Sequence, residues 1–271
     1  MDTEEEVAVS SMENCIQDIR QWMHANKLVL NDDKTIFLLM GRKAFTDKVN
    51  VDSIRVGDVS IPPSDCATNL GSVWDPQLSM DKHVWKVCSS TFYHLRNIAS
   101  IRKYLTKSQT ETIVHAYVTS KLDYCNSLLK GIPDYQIERL QYVQNAAARV
   151  ICHKRKYDHI TPSLMELHWL PIKKRIDFKV LLLAYKAING DGPEYLSDLI
   201  VPYITPYNLR SQEENTMSVP KTKLVSCGDR AFSKVAPNMW NDLPLDIKFA
   251  SNVDIFKKLL KTHLYKLAYV L

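Results

Sequence analysis

Apolar positions along this chain follow two rhythms. Most runs repeat every three or four residues, the period of an amphipathic helix, while a few in the first third form short strand-like blocks. Ile16, Ile19, Trp22 and Met23 make a stripe that predicts a helix over 11–26, which Ser10 or Ser11 can cap. Asn31-Asp32-Asp33 reads as a turn and Thr35 to Met40 as a strongly apolar strand. Ile54-Arg55-Val56 and Val59-Ser60-Ile61 flank Gly57-Asp58, the pattern of a hairpin with a two-residue turn, and Pro62-Pro63 ends it. A further strand is predicted from Asn69 to Trp74.

After Pro76 the pattern changes to helices. His83 to Ile101 places Val84, Val87, Thr91, Leu95 and Ile98 on one face. Thr106-Lys107-Ser108-Gln109 is a capping box, opening a helix through Ile113, Ala116 and Tyr117. Another helix follows Pro133, with Ile137, Leu140, Val143, Ala147 and Val150 inward. A fourth follows Pro171, with Ile172, Ile176, Val180, Leu183 and Ala187 aligned, and Asn189-Gly190 stops it. Residues 201–227 hold three prolines and no period, so they read as a loop or extended arm. The last helix spans Val253 to Ala268, with Phe256, Leu259, Leu260, Leu264 and Leu267 as its core face. The fold class expected is therefore α+β, mainly α, divided as 1–75, 76–200 and 201–271.

Composition changes this picture little. Among 271 residues, 45% are apolar and 24% charged, ordinary values for a globular chain able to bury a core. Charge is unevenly spread. Residues 1–33 hold eight acids against two bases, a balance of −6, and the rest holds 33 bases against 22 acids, a balance of +11. Six cysteines stand singly with no Cys-x-x-Cys pair, which reads as free thiols in a reducing compartment. Glu4-Glu5-Glu6 replaces the basic start of a signal peptide, and no apolar stretch is long enough to span a bilayer. The expectation is an intracellular protein of nucleus or cytoplasm, neither secreted nor membrane-bound.

Candidate chemistry is sparse. Asp32-Asp33 fits a turn better than a Mg2+ site, because no aromatic-x-Asp-Asp box is present. Cys152, His153, His159 and His168 are too widely spaced for a zinc module. No nucleophile elbow, phosphate loop or dinucleotide fingerprint occurs. No catalytic or metal-binding residue is therefore assigned. The strongest handle is a basic cluster: Arg149, Lys154, Arg155, Lys156, Lys173, Lys174, Arg175, Lys179 and Lys186, with Tyr157 and Trp169 interleaved. Such a cluster either solvates helix faces or contacts nucleic acid through phosphates and stacking. Lys173-Lys174-Arg175 sits in a first helical turn, where cations oppose the dipole, pointing to an external anion.

Several blocks carry a resemblance. They include Leu30-Asn31-Asp32-Asp33-Lys34-Thr35, Asn69-Leu70-Gly71, Asp75-Pro76-Gln77-Leu78-Ser79 and Phe92-Tyr93-His94-Leu95-Arg96-Asn97-Ile98. Leu122-Asp123-Tyr124-Cys125-Asn126, Arg139-Leu140-Gln141, Gln144-Asn145-Ala146-Ala147-Ala148-Arg149 and His168-Trp169-Leu170-Pro171 follow. Gly228-Asp229-Arg230-Ala231-Phe232-Ser233, Ala236-Pro237 and Trp240-Asn241 complete the set. In this order they resemble the C-terminal half of the reverse transcriptases (RNA-directed DNA polymerases) of jockey-type non-LTR (LINE) retrotransposons. The resemblance implies that residues 11–75 are the rear of a polymerase palm (a helix with antiparallel strands). It implies that 76 to about 190 are a helical thumb and its extension, followed by C-terminal helices.

It also implies that Leu70 and Gly71 approach the primer end, and that Arg149, Lys154, Arg155, Lys156, Lys173, Lys174, Arg175 and Lys179 contact nucleic acid. The family's catalytic aspartates, which hold Mg2+ in the intact enzyme, fall ahead of Met1. The chain alone is then expected to need no cofactor and to lack polymerase activity. Its partners would be RNA or an RNA/DNA hybrid and the family's missing palm and fingers segment. Apolar surface is expected to lie open around Phe37, Leu38 and Leu39. A repurposed helical module that binds protein is the competing expectation.

Overall fold

A computed structural model describes residues 4–203, 215–224 and 227–270. The protein is mainly helical, 61% helix and 6% strand, with two small antiparallel hairpins. It divides into two compact units, residues 1–83 and 84–271.

In the first unit, helix α1 (Glu4–Ala25) begins seven residues ahead of the predicted start. Glu4, Glu5 and Glu6 supply the anionic first turn that the helix dipole favours, so a Ser cap at 10 or 11 is not needed. Lys27 then turns left-handed, at φ 61°, and the Leu28 N–H returns to the Met23 carbonyl at 2.8 Å. One-turn helix α2 is Lys43–Thr46. Hairpin β1 (Ile54–Val56) and β2 (Val59–Ile61) pairs Ile54 with Ile61 and Val56 with Val59. Gly57 has φ +63°, as the first central residue of a type II′ turn requires. A Cβ there would stand 2.1 Å from the Arg20 guanidinium, the movable end of a long side chain, so the positive φ is what favours glycine. Arg20 in turn holds Asp32 at 2.9 and 3.0 Å. The Glu13 carboxylate accepts the Arg55 N–H at 2.7 Å and fastens α1 to β1.

Two strand expectations change. Residues 35–40 form no strand. Phe37 makes an isolated bridge to Pro63, and the Ser64 N–H bonds the Phe37 carbonyl at 2.8 Å. The neighbouring segment is Pro62-Pro63, which has no backbone N–H to extend a ladder. Phe37 is buried, and Leu38 and Leu39 are half-buried, so the apolar surface expected there is largely covered; Val29, Ile36 and Met40 are the exposed neighbours.

The strand over 69–74 is instead a second hairpin, β3 (Ala67–Asn69) and β4 (Ser72–Trp74). Leu70 (φ 45°) and Gly71 (φ 85°) form its turn, both left-handed as in a type I′ turn. Beyond it the buried Asp75 carboxylate accepts the N–H groups of Ser79 and Met80, each at 2.8 Å. That turn launches α3 (Asp81–Ile101), which buries Val84, Thr91, Leu95 and Ile98 as its period predicts.

The second unit begins within α3. Helix α4 (Lys107–Val114) opens with the capping box: the Gln109 N–H donates to Thr106 Oγ1 at 3.3 Å, and Gln109 Oε1 accepts the Thr106 N–H at 2.9 Å. The helix continues through a π turn, His115–Thr119, into α5 (Ser120–Asp123). Cys125 then turns left-handed at φ 51°. Helix α6 (Asp134–Cys152) buries Leu140, Val143 and Ala147, and its left-handed C-cap is His153. Short α7 (Thr161–Glu166) has Pro at its start and was not evident from spacing.

Helix α8 (Ile172–Ile188) is the centre of the unit and packs on α6, α10 (Phe232–Asn241) and α12 (Val253–Tyr269). Because it is covered on more than one side, Leu181, Ala184 and Tyr185 are buried besides the predicted Ile172, Ile176, Val180 and Ala187. One-turn helices α9 (Glu194–Ser197) and α11 (Leu245–Lys248) link these elements. Tyr185 stacks on Phe256 at 4.2 Å and donates to the Ala250 carbonyl at 2.8 Å. Trp240 is fully buried, with its indole N–H on the Asn215 carbonyl at 2.8 Å. On α12, Phe256, Leu260 and Leu264 are buried as expected, whereas Leu267 is exposed. The loop expected over 201–227 lies partly outside the described residues; within them Pro202 and Met217 form an antiparallel bridge. Among the described residues no helix is long and apolar enough to cross a membrane.

Candidate nucleic-acid interface

The basic cluster is contiguous in sequence but divided in space. Gln141 and Gln144 of α6 fix the loop that precedes α8. Gln141 Oε1 accepts the Ile172 N–H and Gln144 Nε2 donates to the Leu170 carbonyl, both at 2.9 Å. Lys173 therefore lies over the start of α6, 3.4 Å from Asp134. Arg149 and Lys154-Arg155-Lys156 lie at the other end of that helix. Fifteen residues at 1.5 Å rise put Asp134 and Arg149 about 22 Å apart along the axis. One continuous basic stripe is thus not formed.

The three cations of the first turn of α8 have internal acids: Lys173 has Asp134, Lys174 has Asp177 at 3.8 Å, and Arg175 has Asp123 at 2.6 Å. Asp177 also meets Lys130 at 2.6 Å. Their opposition to the helix dipole is answered within the fold, so it no longer points to an external anion. Arg149 is half-buried at the C-terminal turn of α6, where a cation is favoured.

The segment Lys154–Tyr157 is different. All four side chains are exposed, and Lys156 stands over the Tyr157 ring at 5.5 Å. Tyr157 is 89% exposed, too open to be a packing residue. Asp158 folds back to accept the Arg155 N–H at 2.7 Å, which shapes the loop and leaves the cationic heads outward. Leu70 is likewise presented to solvent, 83% exposed at the tip of its hairpin with Gly71.

A second feature is a cavity of about 400 Å³ inside the helical unit. The π turn, the Asp123–Asn126 segment, the Leu167–Leu170 loop, α8 and α12 line it, and it is half open to solvent. Arg175 is its pivot. Nη1 bonds Asp123, Nε bonds the Leu170 carbonyl at 3.0 Å, and the guanidinium carbon lies 5.8 Å from the Trp169 ring centre. His115 meets the same indole edge-on at 5.5 Å. The Tyr269 hydroxyl donates to the Trp169 carbonyl at 2.7 Å. Burial pushes that hydroxyl up to about 12, with Tyr265 adding to the rise and Arg175 opposing it, so it stays a donor at neutral pH. Lys179, from the predicted cluster, and Lys261 also line the cavity. π turns are rare and concentrate at functional sites, which gives this wall added weight.

Comparison with family models, with curated proteins and with solved structures finds no match to this chain. The residues themselves supply the remaining evidence. Asp123, Asn126, Trp169 and Leu170 belong to two of the blocks quoted above, more than forty positions apart, and both end in one cavity. The glutamines that hold the loop come from two further blocks. Sequence reading missed His115, Thr119, Asn126 and Lys261 as lining residues; His115 and Lys261 carry no local motif that would reveal them. Among the described residues no three His, Cys, Asp or Glu side chains are grouped to hold a metal ion. Cys152 lies 4.0 Å from Glu166, which also pairs with Lys107, and burial pushes the thiol up, away from nucleophilic reactivity. All six cysteines are free thiols.

Proposed function

We propose that this chain is the C-terminal part of a polymerase of the non-LTR retrotransposon reverse-transcriptase type. In this reading residues 11–75 are a rear-palm remnant. The helical unit acts as a thumb that holds template RNA or an RNA/DNA hybrid, and the chain alone does not polymerise. The observation that carries the reading is the Lys154–Tyr157 loop, three outward cations beside an 89% exposed aromatic ring. Cations that meet phosphates and a ring that stacks on a base are the sequence-tolerant elements of nucleic-acid binding. Leu70 and Gly71 at an exposed hairpin tip suit the primer-end contact the resemblance implies.

The test is anisotropy of a labelled RNA/DNA hybrid with the full chain over a salt series. Affinity is expected to fall with salt. The triple variant Lys154→Ala/Arg155→Ala/Lys156→Ala should weaken binding and flatten the log–log slope by about 2–3, nearly one per lost phosphate contact. A triple variant with unchanged affinity and slope would show that this loop is not the interface.

A second reading has an observation of its own. Helix α1 buries none of its 22 residues and exposes Val7, Met12, Ile19 and Trp22. That face favours a repurposed module that binds a protein, whose affinity would barely respond to salt.

A further inference from the structure

Helices α3 and α6 of the helical unit leave an open groove of about 560 Å³ between them. The two helices run side by side in the same direction. Phe92 meets Tyr142 with 5.8 Å between ring centres, and where α3 ends Arg102 Nη1 donates to the Val150 carbonyl at 3.2 Å. Two turns back from the Phe92–Tyr142 contact stand Trp85 on α3 and Tyr135 on α6, which line the same groove. It therefore carries two aromatic pairs about 10 Å apart, two turns at 5.4 Å pitch. Trp85, Tyr135 and Tyr142 are 61%, 52% and 58% exposed, so their rings are open to a ligand. Arg139 lies between the pairs and Arg96 one turn beyond Phe92. Both are exposed, and neither has an ion-pair partner among the described residues. Glu138 supplies the wall's carboxylate, so two arginines stand against one glutamate.

We propose that this groove binds a proline-rich segment of a partner protein, Pro-x-x-Pro in the polyproline II conformation, with an acidic residue beside it. That helix rises about 3.1 Å per residue with three residues per turn, so its two prolines lie about 9 Å apart on one face. The spacing matches the two aromatic pairs. Proline has no N–H to satisfy, and the carbonyls of this helix have no internal partner. A wall rich in guanidinium, indole and phenol donors is suited to such a ligand. The excess of cations over Glu138 calls for an acid on the ligand, which Arg96 and Arg139 can meet. A nucleic-acid strand fits less well, because the Glu138 carboxylate opposes its phosphates. The proposal does not rest on the polymerase reading and uses none of the residues of the Lys154–Tyr157 loop.

The experiment is fluorescence anisotropy of the full chain with a labelled oligoproline ending in Asp-Asp, beside the hybrid-binding assay. A Gly-Ser peptide of the same length and ending, an oligoproline ending in Lys-Lys and a labelled oligouridine are the comparisons. The acidic oligoproline is expected to bind at least about tenfold tighter than the flexible Gly-Ser peptide. Trp85→Ala and Tyr142→Ala should each weaken it about tenfold, and Trp85→Ala should leave hybrid binding unchanged. Arg96→Ala/Arg139→Ala should remove the preference for the Asp-Asp ending over Lys-Lys. Circular dichroism and melting confirm that the variants fold. No binding of the acidic oligoproline at millimolar concentration overturns the proposal. Equal binding of the Gly-Ser peptide overturns it too, as does a folded Trp85→Ala protein of unchanged affinity or a double arginine variant that keeps the preference. If oligouridine rather than oligoproline depends on Trp85, the groove is a nucleic-acid path and the proposal falls. If the hybrid binds and the oligoproline does not, the polymerase reading survives alone. If the oligoproline binds with the expected selectivity and the hybrid does not, the proposal stands without that reading.

Discussion

The two units make opposite use of helix. In the first, 22-residue α1 buries no side chain, and the core around it is a cluster of three buried residues, Phe37, Ile54 and Val56. In the second, 17-residue α8 buries eight of its own residues and anchors a cluster of sixteen. Length and propensity are similar, but apolar area removed from water differs greatly, and that area is the main stabilising quantity. Hairpins of three residues per strand add little of their own. The helical unit is therefore the stable body, and the smaller unit is the one whose surface asks for a partner.

The largest expected effect lies in that contrast. Trp240→Ala removes a fully buried indole and its bond to Asn215, and should cost about 3–5 kcal/mol in urea unfolding followed by circular dichroism. Phe37→Ala, in the small cluster, should cost less, about 2–3 kcal/mol. A larger cost at Phe37 than at Trp240 breaks the comparison. Arg175→Ala tests whether the polar network of the second unit adds to its core. It removes the bonds to Asp123 and Leu170 and should lower stability by about 1–3 kcal/mol, with the midpoint of the helical transition as the readout.

The smallest effect is a titration. Burial lowers the His263 pKa below the ordinary value of 6.5, Lys174 and Lys266 push the same way, and Asp246 opposes them. The unfolded state then binds a proton near pH 6.5 that the folded state refuses. The stabilisation is complete above that value and is lost as pH falls through the lower folded value. His263→Gln should remove that part of the decline in melting temperature between about pH 7 and pH 5. An identical pH profile in the variant would show that His263 does not contribute.

Much of this architecture is legible in the chain. The β1–β2 hairpin is visible because Gly57-Asp58 can only turn, and α8 because its apolar positions keep a helical period to Asn189-Gly190. The capping box at Thr106 states its own geometry. Residues 35–40 mislead because strand formation is decided by the partner, and Pro62-Pro63 cannot donate. The β3–β4 hairpin hides because Leu70 adopts a left-handed turn that favours glycine or asparagine. Helix α10 is masked by Pro237 within it. The cavity is the least legible feature, since its walls come from residues 115 to 261 and depend on how α6, α8 and α12 pack. The basic cluster shows the reverse failure: neighbours in sequence, parted by the length of one helix.

The stretch that follows the π turn at His115–Thr119 sets a limit on how this protein can change in length. Each residue of a helix advances the next by about 100° around the axis. Loss of one residue within the turn would only restore the α period, because a π turn holds one residue more than an α turn. Loss of one residue from Ser120–Leu122, beyond it, would swing Asp123 and Asn126 by that angle, away from Arg175 and out of the cavity wall. Single-residue insertions in the hairpin tips only lengthen a turn, whereas the short stretch from Ser120 to Asp123 is geared to α8 and tolerates no slip of one tooth.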